Sequence, residues 1–335
     1  MRTEKGDERN MEKKMTVLEA INMTLDQELA KDKNVFLIGE DIGHYGGCFG
    51  VTAGLYEKYG DDQVIDTPIS EYGPSTMAVG AAIMGMRPVV ELMFGDFLTV
   101  CGDSFGGQAA TVHYVTNGKA NCPIVCRVPQ GIEGGAGIHH SRTADAWLMN
   151  FPGIKIVAPT TPKQHAGLLR AAIQDNNPVM FLECKSLYGM EGMVPTEDDF
   201  VIPIGKAEVV QEGTDVTVMV GQRMRTIAEE SVARAEKEGI SVELIDPLSI
   251  KPFDLETVAA SVKKTGRLII IHESPVFGGT GAEHGSQIYE TCFADLKKPI
   301  VRMGQAEVPI PFGNEEHFVF PNADEIYEAI KKIVS

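Results

Sequence analysis

The sequence predicts a two-domain α/β protein, in which a doubly wound, mostly parallel sheet is followed by a smaller α/β domain. Short apolar runs suited to buried strands alternate with helical patterns along nearly the whole chain, the arrangement typical of parallel sheets. At 335 residues the chain also exceeds one typical domain. From the distribution of charge and apolar periodicity we expect a disordered tail at 1–15, a first domain at 16–187, a linker at 188–204 and a second domain at 205–335.

The first strand leads into an acidic, glycine-rich loop. Apolar residues at helical spacing over 17–29 predict a surface-packed helix, and the run NVFLI at 34–38 predicts a buried strand. The strand is followed by the loop Gly39–Gly47, which contains Glu40. Open α/β sheets bind ligands at the carboxyl ends of their parallel strands, so this loop is a candidate binding segment. A helix is expected over 50–59.

The next strand, turn and helix place an acid beside an apolar surface. The run at 64–66 predicts a strand that breaks before Pro68, and Glu71 lies on the turn that follows. Ser75 is the expected N-cap of a helix over 77–85, whose residues are small or apolar on every side and should all be buried. Glu71 is therefore either an acid partly shielded from water for proton transfer or a carboxylate that complements the helix dipole.

A second glycine-rich loop carries paired histidines. Strands are expected at 88–93 and 123–128, and the loop 130–141 contains His139 and His140. A loop histidine is more often a structural residue than a catalytic one, although loops on a rigid scaffold do concentrate function. Because this loop also follows a strand, its histidines and the two acidic segments should lie along one edge of the sheet.

The remaining elements complete both domains. The first domain continues with a helix from 144, a strand at 154–158, a helix at 162–174 and a strand at 178–183. The second domain has strands at 215–220, 241–245, 267–271 and 301–303, and helices at 225–238, 255–262, 281–293 and 323–334. Strand and helix alternate in both halves, which supports the α/β prediction.

The charge and the apolar content disfavour several classes of partner. A formal net charge of −17 disfavours nucleic-acid backbones and anionic membrane surfaces, and no apolar run approaches the roughly 20 residues that span a bilayer. We therefore expect no nucleic-acid and no membrane partner. The N-terminal segment lacks the apolar stretch of a signal peptide. The six cysteines lack metal-site spacing, so we expect free thiols and a cytoplasmic location.

Several segments resemble one protein family. The chain contains VFLIGEDIG, QVIDTPISEYG, HHSRTADAW, IKIVAPTTPKQHAGLLRAAIQDNNPVMFLE and VPIPF. These segments are similar to parts of the β subunits of thiamine-diphosphate-dependent 2-oxo acid dehydrogenases, a family that includes the pyruvate, branched-chain 2-oxo acid and acetoin enzymes. The resemblance extends over about 16–334. It implies that the first domain is of the pyrimidine-binding type and that the second is like the C-terminal domain of transketolase.

The resemblance implies roles for particular residues. In that family the glutamate of the TPISE motif bonds N1′ of the cofactor's aminopyrimidine ring, a role that falls here to Glu71. Ile69 lies in the same motif and is expected to contact the cofactor, and Phe97 matches an aromatic residue that packs against the pyrimidine. His140 matches a loop histidine assigned to the substrate and to acyl transfer. Glu40 is expected to continue an acidic proton path toward a second active site.

The resemblance also implies metal ions and a partner chain. Family members hold magnesium and the diphosphate with a GDG motif followed by Asn, and this sequence contains no GDG. An α subunit is therefore expected to supply the magnesium site in an α2β2 heterotetramer, with 77–85 and 106–112 at subunit contacts. A potassium ion is expected at the positions that match the family's site, which are Ile124, Ala172, Ile173, Asp175 and Asn177.

The implied reaction is decarboxylation of a 2-oxo acid, or cleavage of acetoin, followed by reductive acylation of a lipoyl group on an acyltransferase core. Pyruvate or acetoin is the expected substrate, because the loops lack a branched-chain pocket signature. One alternative is a transketolase-like half enzyme acting on sugar phosphates, which favour basic pockets; the loops are poor in basic residues apart from Arg142. The other alternative is a non-catalytic scaffold subunit.

Three positions depart from the family pattern. His139 stands where Gln is usual, and Gly106–Gly107 stand where a larger residue is common, which should loosen the helix beneath the pyrimidine site. Lys297 stands where many members carry an acid thought to meet the acyltransferase core. The docking contact with that core is therefore expected to differ in this chain.

Overall fold

Strands and helices alternate through residues 12–335, the part of the chain described by the computed structural model. The strands are β1 (Glu12–Thr16), β2 (Val35–Glu40), β3 (Val64–Thr67), β4 (Arg87–Glu91), β5 (Val125–Gln130), β6 (Lys155–Val157), β7 (Val179–Cys184), β8 (Glu191–Pro195), β9 (Glu208–Gln211), β10 (Val216–Val220), β11 (Val242–Asp246), β12 (Ser249–Lys251), β13 (Leu268–Pro275) and β14 (Val301–Gln305). The α-helices are α1 (Val17–Lys31), α2 (Leu55–Tyr59), α3 (Tyr72–Ile83), α4 (Val112–Val115), α5 (Asp145–Leu148), α6 (Pro162–Gln174), α7 (Gln222–Lys237), α8 (Leu255–Thr265), α9 (Thr280–Cys292) and α10 (Ala323–Val334).

The sheet of the first domain has the strand order β12–β6–β7–β5–β4–β2–β3. All neighbouring strands are parallel except β12, which runs antiparallel to β6 at the edge. Its central strands are apolar and buried on both faces, because helices α1 and α6 cover one face and α3 covers the other. The doubly wound sheet predicted from the sequence is confirmed.

Capping sequences determine where the two covering helices begin. Helix α1 has Thr16 as its N-cap, and the Glu19 carboxylate returns to the Thr16 main-chain N–H at 2.8 Å. Helix α6 has the same capping box between Thr161 and Gln164, with Pro162 in the first turn. Both capping boxes satisfy main-chain donors that the helix itself leaves unpaired. The first residue of each helix is therefore determined by the neighbouring sequence.

The second domain has the strand order β14–β13–β10–β11–β9, with only β9 antiparallel to its neighbour. Helices α7 and α10 pack on one face and α8 and α9 on the other. The α/β prediction for this half is therefore also confirmed. None of the helices within residues 12–335 is both long and apolar enough to cross a bilayer.

The two domains share a strand and a polar contact. Strand β12 follows β11 in the second domain but pairs with β6 of the first, with Ser249 opposite Val157. Nearby, the Thr160 hydroxyl donates to the buried Asp246 carboxylate at 2.6 Å and accepts from the Gln222 main-chain N–H at 2.7 Å. These contacts fix the second domain against the loops that leave the first sheet.

Strands β1 and β8 lie in segments for which the sequence predicted no regular secondary structure. β1 pairs antiparallel with β8, and Lys14 bonds Glu191 at 2.6 Å. The expected disordered tail is therefore wrong for residues 12–15, and the expected linker contains a strand at 191–195; residues 1–11 lie outside the described part. Most side chains of β1 are polar and exposed, so the strand depends on main-chain pairing with a distant segment rather than on an apolar pattern.

Helix α3 starts earlier and is less buried than the sequence predicted. Its N-cap position is Glu71, and Ser75 lies inside the helix, where its hydroxyl contacts Cys101 Sγ at 3.4 Å. Ala78 and Val79 pack into the first domain, whereas Met84, just past the helix, is 84% exposed. The expected burial on every side is therefore wrong within this chain, because nothing in residues 12–335 covers the outer face.

The unusual glycines of residues 106–107 lie in a π-helix, Asp103–Ala109. A Cβ atom at Gly106 would come within 2.5 Å of the Phe151 ring, and one at Gly107 within 2.3 Å of the Asp103 carboxylate. The small residues therefore make room for an aromatic ring and for the wider turn. Short π-helical segments frequently mark functional sites, and this one packs against α3.

Candidate active site

The predicted catalytic and cofactor-binding residues gather at one edge of the first sheet. Parallel strands β2, β3, β4 and β5 all end there. Glu40 is the last residue of β2, Glu71 follows β3, Phe97 follows β4 in a short 3-10 helix (Gly95–Thr99), and His140 follows β5. The crossover connections of a parallel sheet thus bring residues distant in sequence to one crevice.

Glu40 and Glu71 form an acidic pair at this edge. The buried Glu40 carboxylate accepts a hydrogen bond from the Ser70 main-chain N–H at 2.9 Å. Burial raises the pKa of Glu40, and the negative charges of Glu71 and Asp41 add to that effect, whereas the Ser70 bond opposes it. Glu71 is half-buried, and its carboxylate makes no hydrogen bond or ion pair to any described residue. It is thus available to a ligand.

A buried thiol lies beneath these acids. Cys101 is fully buried, and its Sγ contacts the Ser75 hydroxyl. Burial raises the pKa of Cys101 to about 11, and Glu71 and Glu40 both add to the shift through their charges. The thiol therefore stays neutral and adds no further negative charge below the pair of carboxylates.

Aromatic rings surround the histidine. The His140 ring lies 4.6 Å from the Phe94 ring and 5.7 Å from the Phe97 ring, both in edge-to-face geometry. Phe94 and Phe97 contact each other at 5.5 Å, and Phe49, two residues after the first glycine-rich loop, contacts Phe94 at 5.8 Å. The cluster holds the imidazole among apolar faces. Its neighbour His139 is exposed instead.

Three contacts hold the histidine loop. The buried Lys185 ammonium, just after β7, donates to the main-chain oxygen of His140. The second domain reaches the loop through Glu316, whose carboxylate accepts from the Gly135 main-chain N–H at 3.1 Å. Arg142, at the far end of the loop, pairs with Asp96 at 3.2 Å. The loop is thus fixed by both domains.

The structure does not cover Ile69. This residue is 86% exposed, and Tyr72 at the start of α3 is also exposed. The predicted contact of Ile69 with a cofactor therefore requires a ligand or partner surface outside residues 12–335. Glu71, Glu40 and Phe97 offer an acid and an aromatic face, which fit a pyrimidine ring.

Four of the five predicted potassium ligands lie at the end of α6, and protein cations already contact two of them. The Arg87 guanidinium donates to the main-chain oxygens of Ile173 at 2.9 Å and Asp175 at 3.1 Å. The Asp175 carboxylate pairs with Lys155. Those oxygens are therefore already neutralised by side chains of this chain.

The other predicted potassium ligands are also hydrogen-bonded. The Ile124 carbonyl accepts from the Val179 main-chain N–H at 2.9 Å, and the Ala172 carbonyl accepts from Asp175 N–H at 3.2 Å. The Asn177 amide donates to the Asp175 carboxylate at 3.2 Å. A potassium ion would have to use the second lone pairs of these oxygens, so the site stays a prediction.

Sequence reasoning missed the ionic network behind the site. Arg127 bonds Glu183 through two nitrogens and Glu91 through a third, and Tyr188 donates to Glu183 at 2.7 Å. Burial raises the pKa of Glu91, while Arg127 opposes the shift and Glu183 adds to it. A signal was present, since three charged residues occupy otherwise apolar strand runs, a placement that requires mutual pairing.

Sequence reasoning also missed Phe94 and Lys185. Phe94 lies three residues before Phe97 and forms the opposite wall of the histidine pocket. Lys185 follows directly on the carboxyl end of β7, the position from which side chains reach this crevice. That position was the only available signal, because the partner of Lys185 is a main-chain oxygen 45 residues away.

Comparisons with known proteins agree with this geometry. The chain matches "Transketolase, pyrimidine binding domain" over residues 13–191 and "Transketolase, C-terminal domain" over 205–326. "Pyruvate dehydrogenase E1 component subunit beta" of Porphyra purpurea is 40% identical over 323 residues, 96% of this chain and 97% of the relative. "2-oxoisovalerate dehydrogenase subunit beta" of Bacillus subtilis (strain 168) is 38% identical over 322 residues, 95% and 98% of the two chains.

A further relative and one solved structure extend the comparison. "Pyruvate dehydrogenase E1 component subunit beta-1, mitochondrial" of Oryza sativa subsp. japonica is 42% identical over 324 residues, 96% of this chain and 87% of the relative. The structure "Split gene transketolase, inactive beta4 tetramer" has a TM-score of 0.77 at 20% identity, covers 96% of this chain and 98% of its own, and shows the shared fold. The chain therefore belongs to the family of E1 component β subunits of the 2-oxo acid dehydrogenases, built from a transketolase-type pyrimidine-binding domain and C-terminal domain.

Proposed function

We propose that this chain is the β subunit of an α2β2 2-oxo acid dehydrogenase that uses thiamine diphosphate, and that it contributes the pyrimidine half of each active site. The observation that carries the proposal is the Glu71 carboxylate, which is half-buried, has no partner in residues 12–335 and lies beside Glu40. A free acid of this kind is suited to holding a proton against a ring nitrogen. The α subunit would supply the magnesium and diphosphate half.

Each side chain has a distinct task in this proposal. When bound, thiamine diphosphate would supply a nucleophilic carbon for attack on the 2-oxo group and for decarboxylation. Glu71 holds the proton at N1′ of the pyrimidine, and Glu40 beside it continues the acidic proton path toward the second active site. Phe97 packs against the ring. His140 faces the substrate, with its imidazole fixed between Phe94 and Phe97, and assists acyl transfer to a lipoyl group.

The exposed apolar surface supports the need for a partner. Ile69, Met84 and Tyr114 are each more than four-fifths exposed, and they flank α3 and the π-helix. We assign these exposed side chains to the proposed α-subunit interface, since exposed apolar surface marks sites of protein interaction. The proposed partner for this surface is the α subunit.

For the substrate we propose pyruvate or acetoin. Relatives named for pyruvate are 40% and 42% identical, and the relative named for 2-oxoisovalerate is 38% identical, so identity favours pyruvate only narrowly. A sugar-phosphate substrate is less suited to this crevice, since Arg142 is already paired with Asp96. The acceptor is a lipoyl group of an acyltransferase core, whose docking contact would involve Lys297.

We further propose a cytoplasmic location and a potassium ion that organises the end of α6. All six cysteines are free, and five of them are buried, as suits a reducing compartment. The potassium proposal is tested by comparing thermal stability in potassium and in sodium salts. A difference that disappears in Asp175→Asn supports it, and equal stability in both salts rejects it.

The function is tested with the chain co-expressed with its α subunit. Decarboxylation of pyruvate and branched-chain 2-oxo acids, cleavage of acetoin and ketol transfer to a sugar phosphate are assayed with and without thiamine diphosphate and Mg²⁺. Glu71→Gln should lower turnover about 100-fold or more, the usual scale for a lost proton-transfer group. Glu256→Gln, which alters an exposed surface acid, is the control. Equal turnover in Glu71→Gln and wild type would favour the scaffold, and turnover of sugar phosphates alone would favour the transketolase-like enzyme.

A further inference from the structure

Lys185 is a buried lysine whose contacts all belong to the histidine pocket. Its side chain is 4% exposed. The ammonium donates to the main-chain oxygen of His140 and lies 4.8 Å from the centre of the Phe94 ring. No carboxylate of residues 12–335 comes within 4.0 Å of its nitrogen. The groups that directly contact its charge are therefore a carbonyl dipole and an aromatic face, and neither is an ion-pair partner.

Burying the Lys185 ammonium without an ion-pair partner lowers the stability of the folded state. Burying an ammonium group is unfavourable unless it is paired and hydrogen-bonded, and burial lowers the pKa of Lys185, with Asp96 the largest opposing charge. A cation over an aromatic ring recovers part of that cost. Both compensating groups contact His140, because the Phe94 ring lies 4.6 Å from the imidazole at an interplanar angle of 85°.

We propose that Lys185 is a positioning residue for His140. Its ammonium fixes the main chain of the loop at that residue, and through Phe94 it fixes the tilt of the imidazole. Lys185 itself touches no reacting atom. The inference rests on the proposed function, in which His140 acts at the substrate end of the site. It gives the histidine loop a third anchor, just after β7, in addition to the Asp96 and Glu316 contacts to the same loop.

The variants Lys185→Met and Lys185→Arg test the proposal in the α-containing complex. Methionine keeps the length and apolar volume of the side chain but removes the donor, and arginine restores a donor to the carbonyl. Lys206→Met is the matched control, because Lys206 is an exposed lysine of the second domain that lies near Asp254 and Glu256, outside the histidine pocket. The measurements are kcat and KM for the 2-oxo acid, the Kd for thiamine diphosphate, and the rate at which an acylating reagent modifies His140.

We expect Lys185→Met to lower kcat at least tenfold, since misplacement of a catalytic group by about 1 Å costs up to 100-fold. The Kd for thiamine diphosphate should stay within twofold, because Glu71 and Phe97 are untouched, and His140 should react at least threefold faster with the reagent. Lys185→Arg should recover most of the kcat. A general structural defect would weaken cofactor binding as well and would not be rescued by arginine.

Unchanged kcat and unchanged His140 reactivity in Lys185→Met would overturn the proposal. If that variant does not assemble with the α subunit, Phe94→Leu decides, since it removes the ring between the ammonium and the imidazole: faster His140 modification supports the proposal and an unchanged rate rejects it. Absence of any 2-oxo acid turnover in the wild-type complex would reject the proposed function instead. The His140 modification rates would still report whether Lys185 positions the loop.

Discussion

Arg127 binds Glu183 through two parallel hydrogen bonds, 2.6 Å from Nε to Oε1 and 2.7 Å from Nη2 to Oε2. Its remaining nitrogen contacts Glu91, so one guanidinium neutralises two carboxylates behind the site edge. Arg127 is 1% exposed, and both acids are also buried. The network joins β4, β5 and β7, the strands that carry Phe97, His140 and Lys185 at their ends.

Removal of the guanidinium should destabilise the protein strongly. Arg127→Met leaves two carboxylates buried without a cation, and breaking a buried ion pair in this way costs about 3–5 kcal/mol. The free energy of unfolding, measured by urea denaturation of the chain, should fall by that amount. Arg234→Met is the control, since its pair with Asp324 lies on the surface and surface pairs contribute little. A loss no larger than that of the control would contradict the prediction.

Glu40→Gln should stabilise the protein at neutral pH. Burial raises the pKa of Glu40 above its ordinary value of 4.5. Ionisation of Glu40 therefore lowers the stability of the folded state, and this loss is complete at any pH above the raised pKa. That loss disappears as the pH falls below about 4.5, where the group is protonated in both states. The stability gain of Glu40→Gln should therefore be present at pH 7 and absent at pH 4, as measured by thermal unfolding.

Glu19 provides a control of opposite sign. The Thr16 main-chain N–H lowers the pKa of Glu19, so its contribution to stability is present above 4.5 and is lost as the pH falls through the lowered pKa. Glu19→Gln should therefore be less stable than wild type at pH 7 and should approach it at acid pH. If the stabilities of Glu40→Gln and Glu19→Gln relative to wild type changed with pH in the same direction, the environment of Glu40 would not disfavour its charge.

The exposed end of α3 should be part of the α-subunit interface. Met84 is 84% exposed, and Met84→Asp would place a charge on the apolar surface that includes α3. We expect this variant to fold normally but to co-purify with less than a tenth of the wild-type amount of α subunit. Met193→Asp, on β8 and 50% exposed, should retain it. Normal recovery of α subunit with Met84→Asp would place the interface elsewhere.

Local signals made much of the fold predictable. The expected helices at 162–174 and 323–334 coincide with α6 and α10, because each begins with a capping box that can be recognised in the sequence. The acid after β3 and the histidines after β5 were also predictable as members of one edge, since parallel strands place their carboxyl ends together. Residue type and order along the chain were sufficient to predict these features.

Contacts between distant segments were not predictable in the same way. β1 has mostly polar, exposed side chains and forms only because β8 offers its main chain. The role of Lys185 depends on a carbonyl oxygen in another loop, and a main-chain partner leaves no mark on composition. The sequence of α3 predicted burial of its outer face, but no segment within residues 12–335 covers that face. Such features depend on tertiary and quaternary structure.

Two neighbouring glycines allow a matched test of the contact between the domains. Gly134 and Gly135 both have positive φ, 68° and 71°, so alanine at either position costs about 1–2 kcal/mol in backbone strain. Only at Gly135 would the Cβ meet the Gly313 main chain, at 2.6 Å, whereas Gly134 faces open space. Gly135→Ala should therefore lower the unfolding temperature further than Gly134→Ala. It should also reduce turnover of the α-containing complex severalfold, because the second domain would no longer seat against the His140 loop. Equal losses in both variants would show that this contact does not hold the loop.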